Sequence, residues 1–329
     1  MNTGEPKNVI VIGASAGGIA AVSALLQTLS VSLNAAIFIV IHVPSVSKTE
    51  IILRQLQRNS QLACKVPKDL EAIEINTVYL APADHHMMLD GDQILVRRGA
   101  FENHWRPSID VLFRSAAASF GSCVTGIVLT GMLDDGTSGM IAIKKAGGRT
   151  IIQDPAQAEF IEMPTNVLQN IEVDDSANIE EMSYILNDYY ATHVCDVGHI
   201  PKDVSHEAAI TLRMSSEAKE LEPLSSLSNL TCPDCGGTLY KINGEKGRYR
   251  CYTGHSFSEI SLENEQLVNL ESSIWVAIRM MEERKNLLNS METYRRASNT
   301  ERAFEMEVHI KRLKEVLLSL NDSMRDDET

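Results

Sequence analysis

The stretch VIVIGASAGGIAAVSALL, residues 9–26, decides how the chain folds. Four β-branched apolar residues run into glycine, a serine sits between two alanines, and a glycine pair opens a segment whose apolar residues recur at helical spacing. An apolar run without alternation reads as a strand buried on both faces, and a Gly-rich turn into an amphipathic helix is how a parallel α/β sheet begins. Ser15 falls on that turn. Small residues let the chain turn sharply, and the helix behind it supplies backbone N–H groups and a partial positive charge.

Outward from this unit the pattern repeats to about residue 190. Further strands are expected at 36–43, 77–81, 93–98, 124–131 and 149–154, with helices over 18–29, 47–58, 108–120 and 138–146. The strand at 93–98 follows LDGD, a turn signal, so a hairpin beside the parallel strands and a mixed sheet are expected. The fold class is α/β, doubly wound, with helices on both faces of a mostly parallel sheet.

The chain has 329 residues, 44% of them hydrophobic, enough for more than one domain. With 44 acidic against 30 basic side chains the net charge is −14, which argues against nucleic acid and anionic lipid as partners. No apolar run is long enough to cross a membrane and the N-terminus lacks the order of a signal peptide, so a cytoplasmic protein without membrane insertion is expected. Of six cysteines, Cys232, Cys235 and Cys251 cluster, while Cys64, Cys123 and Cys195 are scattered and read as buried thiols.

Gly13-Ala14-Ser15-Ala16-Gly17 fits the G-x-S-x-G elbow of serine hydrolases. A dinucleotide site is the competing reading. It lacks the second glycine that admits a pyrophosphate, and the next strand ends in His42, not in an acidic residue that would hold ribose. In open α/β sheets functional groups gather beyond the carboxyl ends of the strands, so His42 and Ser15 share an edge if their strands are neighbours. A third strand end, GIVLTGMLDDGTSGM (126–140), carries Asp134 and Asp135 on a glycine-tightened loop, suited to holding the other nitrogen of an imidazole. The order Ser15, His42, Asp135 differs from the Ser, acid, His order of α/β-hydrolases.

VIGASAGG, the strand ending IHVP, YLAPADHHM, RPSIDVLFRSAA, GIVLTGMLDDGTSGM and AGGRTIIQDPAQAEFIEMP together resemble the catalytic domain of CheB-type protein-glutamate methylesterases, over roughly residues 8–190. The resemblance implies a serine hydrolase that removes methyl groups from glutamyl methyl esters on the cytoplasmic helices of chemoreceptors and can deamidate glutamines there. It implies Ser15 as nucleophile, His42 as general base, Asp135 as the acid of the triad, and the region of Ala16 and Met132 as the oxyanion site, with no cofactor for catalysis. Family members often carry a receiver domain ahead of the esterase; here the first strand starts near residue 8, so a stand-alone form is expected. Threonine is common at position 16 and asparagine at 134; Asp134 adds a charge beside Asp135 and raises the pKa of one carboxyl if both are buried. Arg106 and His86 fall in family blocks, and two readings stay open for both: lining the cleft, or helix-capping and loop packing.

Domain limits follow from composition: 1–199 catalytic, 200–230 a polar Pro/Ser linker, 231–258 a cysteine module, 259–329 helical. Cys232-x2-Cys235, then fifteen residues, then Cys251-x3-His255 supplies two knuckles for tetrahedral zinc. All four positions would be filled by protein, so the predicted Zn²⁺ is structural. The tail carries apolar residues at helical spacing, broken at 298–300; an intramolecular helical hairpin is the default reading, with self-association or docking to a receptor or signalling partner as the alternatives for its apolar stripe. The contrasting function is a catalytically weak scaffold that binds partners through the zinc ribbon and helical tail.

Overall fold

The computed structural model describes residues 7–193, 195–213, 221–243, 247–291 and 296–326. Its centre is β1 (Asn8–Ala14) and β2 (Ala35–Ile41), buried at every position. β1 pairs in parallel with β2 on one side and with β8 (Val124–Val128) on the other. β5 (Thr77–Leu80) and β3 (Ala63–Lys65) extend the β2 side. β9 (Arg149–Gln153) and β10 (Asp175–Ala177) extend the β8 side, giving seven strands in the order β10-β9-β8-β1-β2-β5-β3.

Alternate residues of β1 point to opposite faces and join different cores. Val9 and Val11 pack with α3 (Ile109–Phe120) and α4 (Thr137–Lys145), while Ile10 and Ile12 pack with α1 (Gly18–Thr28), α2 (Thr49–Asn59) and α6 (Ile179–Thr192). Both faces are therefore covered, which is why the strands lack polar alternation. α5 (Glu162–Asn170) lies between β9 and β10 in sequence.

Several expectations change. The seven-stranded sheet is wholly parallel rather than mixed: β7 (Gln93–Arg97) pairs antiparallel with β6 (His86–Asp90) and β4 (Glu71–Ala72) in a separate three-stranded sheet. The stretch 200–230, expected as a linker, holds α7 (Lys202–Arg213), with Val204, Ala208 and Ile210 buried, and β11 (Ser225–Thr231). β11 is the edge of a four-stranded antiparallel sheet with β12 (Thr238–Ile242), β13 (Arg248–Cys251) and β14 (Ser256–Ser258). Cys123 and Cys195, read as buried thiols, form a disulfide with Cα atoms 5.3 Å apart; the fold closes their 72-residue separation.

Contacts divide the chain into residues 1–261 and 262–329. α8 (Glu259–Ser290) and α9 (Arg296–Asp326) carry the tail. Ile274, Ile278 and Met281 meet Ile310, Leu313 and Leu317, so the two helices pair through one apolar seam. The expected break at 298–300 is inside α9, and Asn299 is buried. No described helix is long and apolar enough to cross a membrane.

Candidate functional site

The strand order reverses direction beside β1: the chain moves outward through β2 and β5, then returns to lay β8 on the other flank. Crevices at such switch points, beyond the carboxyl ends of the strands, are where open α/β sheets bind ligands. Ser15 follows β1, His42 follows β2, and the loop 129–136 follows β8. All three sequence-predicted positions meet there.

The turn at Ser15 depends on glycine at two places. Gly17 has φ +73°, a left-handed conformation, and a Cβ there would meet Glu159 Oε2 at 2.7 Å. At Gly131 a Cβ would stand 2.8 Å from the Ser15 Cβ, so the loop after β8 runs directly against the serine. Ser15 N–H donates to Thr130 O at 3.0 Å and Thr130 Oγ1 donates to Ala16 O at 3.1 Å. The adjacent Gly131 N–H donates to Phe160 O. Among the described residues, Ala16 N–H and Met132 N–H donate to no protein acceptor. These are the two positions expected at the oxyanion site.

His42 Nε2 donates to Asp135 Oδ2 at 2.8 Å, across 93 residues of sequence, and both side chains are buried. The ring stacks on Trp105, centroids 4.1 Å apart and nearly coplanar. Its other nitrogen, Nδ1, is buried without a hydrogen-bond partner. Ser15, Gly17, Gly18 and His42 line one cleft of about 390 Å³.

Asp135 is held from several directions. Ile109 N–H at 2.7 Å, Asp110 N–H at 3.2 Å and Ser108 Oγ at 2.9 Å donate to it from the start of α3, and Asn103 Nδ2 donates at 3.1 Å. A carboxylate on the first N–H groups of a helix meets unsatisfied donors and the positive end of the dipole. Asp110 returns the arrangement, accepting from Gly136 N–H and Gly139 N–H at the start of α4. Asn103 Nδ2 also donates to Asp110 Oδ2 at 3.0 Å, so one amide spans both carboxyls.

Burial by itself would raise the Asp135 carboxyl, but the His42 hydrogen bond, that ring's charge and the Ile109 N–H outweigh it and hold the pKa below the ordinary value. Asp110 goes the other way: burial, then the Asp135 charge, push it well up. Asp134 is also raised, by burial first and against hydrogen bonds from Ser258, with Asp135 repulsion adding to the rise. Of the adjacent pair, the carboxyl that is raised is that of Asp134 itself, chiefly by its own burial, while Asp135 beside it is lowered. Of the two readings open for Arg106 and His86, their contacts favour packing: Arg106 donates to Asp84 and Gly99 O, and buried His86, at the start of β6, donates to Ala100 O while accepting from Ser108 N–H.

The sequence reading passes over Asn103, Trp105 and Ser108. Two of them flank the RPSID block, but nothing in their spacing marks which side chain faces Asp135.

With this geometry in view, comparison with known proteins is specific. The family model described as CheB methylesterase matches residues 10–186, more than half of the chain. The chain belongs to the CheB methylesterase family. A "protein-glutamate methylesterase/protein-glutamine glutaminase" of Photorhabdus laumondii is 37% identical over 54% of this chain and 51% of its own length. The Escherichia coli protein of the same name is 34% identical over 54% and 51%. A Leptospira interrogans protein with the same name prefixed "putative" is 35% identical over 53% of this chain and 90% of its own. The chain thus spans about half the length of the first two of these relatives. The crystal structure of the Thermotoga maritima CheB methylesterase catalytic domain superposes with a TM-score of 0.53 and 27% identity, covering 55% of this chain and 98% of that one.

The CheB-type region ends near residue 186, and the second constellation lies beyond it. Ligand atoms of Cys232, Cys235, Cys251 and His255 all lie within 4.8 Å of one another. Tetrahedral zinc, with bonds of ~2.3 Å to sulfur and ~2.05 Å to nitrogen, requires edges of about 3.8 Å between sulfurs and about 3.6 Å between sulfur and nitrogen. The observed separations are 3.8 Å for Cys235–Cys251, 3.6 Å for Cys251–His255 Nδ1 and 3.7 Å for Cys232–His255 Nδ1. Asp234 lies 3.6 Å from His255 Nε2, where an outer carboxylate orients a metal-bound imidazole. These residues could hold a metal ion.

Proposed function

We propose that this chain is a protein-glutamate methylesterase in which Ser15 is the nucleophile, His42 the general base and Asp135 the acid that orients it. The observation that carries this reading is the buried 2.8 Å His42–Asp135 hydrogen bond, with Nδ1 of the same ring left unpartnered and Ser15 on the same cleft wall. An ionised carboxylate only accepts hydrogen bonds, so it fixes the proton on Nε2 and leaves Nδ1 as the base.

Ser15 Oγ attacks the ester carbonyl as Nδ1 takes its proton. Ala16 N–H and Met132 N–H stabilise the oxyanion. On collapse the C–O bond to the methoxy group breaks, and His42 returns the proton to give methanol. Water, deprotonated by His42, then cleaves the acyl-serine to glutamate and restores Ser15. Deamidation of glutamine follows the same course with ammonia leaving. The relatives' names give glutamate and glutamine side chains of proteins as the sites of action; we take the methylated cytoplasmic helices of chemoreceptors, which the family resemblance implies, as the substrate and place the protein in the cytoplasm with it.

The cysteine module carries Zn²⁺ in a structural role, because four protein ligands leave no position for a reacting water. Trp275, Met280, Leu287 and Phe304 are exposed on the helical pair, which supports its reading as a surface for self-association or a signalling partner.

Methanol release from methyl-labelled receptor membranes tests the assignment. Ser15→Ala is expected to lower it by ~10³-fold or more with the circular dichroism spectrum unchanged; retention of the wild-type rate would remove the mechanism.

A further inference from the structure

We propose that the turn over residues 102–105 makes the cysteine ribbon part of the esterase site, with Asn103 as a positioning residue through which the ribbon holds Asp135. The proposal rests on the triad and metal readings above and adds a link between them.

Glu102, Asn103 and Trp105 of this turn face the ribbon or the triad. Glu102 bridges Ser256 of β14, and its buried carboxylate is shared between Arg114 of α3 and Arg250 of β13, the latter at 3.3 Å. Asn103 N–H donates to Ser256 O at 2.8 Å, and its Oδ1 accepts from Ser258 N–H at 3.1 Å. Its Nδ2 is the donor that spans Asp135 and Asp110. Trp105, closed onto Glu102 by Trp105 N–H to Glu102 O at 2.9 Å, stacks on the His42 ring.

The amide of Asn103 therefore has its oxygen fixed by the ribbon and its nitrogen on the triad acid. An amide is planar, so fixing one end fixes the other. Asn103 is buried and has φ +49°, a left-handed conformation that asparagine adopts more readily than most residues. Ser256 follows His255 directly in sequence, so the strand that grips Asn103 begins at a metal-site residue. A ribbon that loses its metal loses the register of β14, releases Oδ1 and lets the amide turn away from Asp135. The carboxylate keeps its helix N–H donors but loses its lateral restraint, and His42 loses its alignment with Ser15. Turnover falls while substrate still binds. A ~1 Å error in such an alignment is worth ~10²-fold.

The test uses the full chain with and without a zinc chelator, and with zinc restored. For wild type, chelation is expected to lower kcat for methanol release at least ~10-fold with KM within about twofold, reversed by zinc. Asn103→Gly, which keeps the left-handed backbone, is expected to show the lowered kcat while zinc-loaded and to lose no more than about twofold further on chelation. A readout free of turnover comes from Trp105 fluorescence in a Trp275→Phe, Ser15→Ala chain: its emission should change on chelation and return with zinc. The proposal is overturned if chelation lowers kcat in Asn103→Gly as much as in wild type, or if wild-type kcat and Trp105 emission ignore the loss of bound metal. Metal analysis reporting no zinc in the purified chain would overturn the metal reading and this link together. Full activity of Ser15→Ala would overturn the esterase reading while leaving the fluorescence arm to decide the link.

Discussion

Gly131 is the residue where the nucleophile is most directly controlled without touching the reaction. Its absent side chain leaves room for both Met163 and the Ser15 Cβ, so Gly131→Ala must push the serine or the 129–136 loop aside. Since its own N–H and C=O are already bound to Phe160 O and Met163 N–H, the loop has little freedom to retreat. We expect kcat for methanol release to fall ~10²-fold, with a thermal midpoint lowered by only a few degrees. Asp135→Asn tests the opposite end of the relay. The substitution keeps the shape and replaces an acceptor by a donor facing His42 Nε2, which drives the proton to Nδ1, the nitrogen that must accept from Ser15. A ~10⁴-fold loss in kcat with the fold retained is the expected result, and methanol release together with circular dichroism measures both.

At the scale of elements, α7 carries the charge that joins the ribbon to the sheet. Glu207 lies between Arg248 of β13 and Arg114 of α3. Burial would raise its carboxyl, but the Arg248 and Arg114 charges outweigh it and bring the pKa down to about 2. A carboxyl depressed in the folded state contributes stability in full above its unfolded pKa, near 4.5, and loses it as pH falls through the folded value. Between about pH 4.5 and 2, protonation therefore removes about 3 kcal/mol of attachment. Acid titration followed by amide exchange is expected to open β11–β14 in that window before the seven-stranded sheet. Glu207→Gln should open them at neutral pH, since a buried arginine left without its carboxylate is strongly destabilising. The same helix shows why sequence and structure part company. KDVSHEAAITLR falls in the stretch expected as a linker; its buried side includes an acid, Glu207, and only the arginines of two other elements make burial of that acid tolerable. β1, β2 and β8 were legible for the converse reason: their apolar runs need nothing beyond helices on both faces. Ser15 was legible because a strand–turn–helix is local, and the Cys-x2-Cys and Cys-x3-His knuckles likewise. His42 and Asp135 were legible as strand ends, and the resemblance paired them. Asn103 was not, because its role exists only once β14 and α3 are both in place.

At the scale of the whole molecule, the two units differ in how they treat apolar surface. In residues 1–261 the apolar side chains fill two continuous layers against the sheet, whereas the helical pair buries one seam and leaves Trp275, Met280, Leu287, Phe304 and Leu318 in solvent. Single exposed apolar residues are ordinary on a protein surface; five of them on two helices are the basis for expecting association. A net charge of −14 keeps the monomers apart at low salt, so screening should favour association. Sedimentation velocity is expected to give a larger species as protein concentration and salt rise, and Leu287→Glu with Phe304→Glu should return it to the monomer while methanol release per chain is unchanged. A wild-type chain that stays monomeric at all concentrations and salts would overturn self-association through these residues, because helices paired through one seam leave the remaining apolar residues open to water only if no second copy covers them.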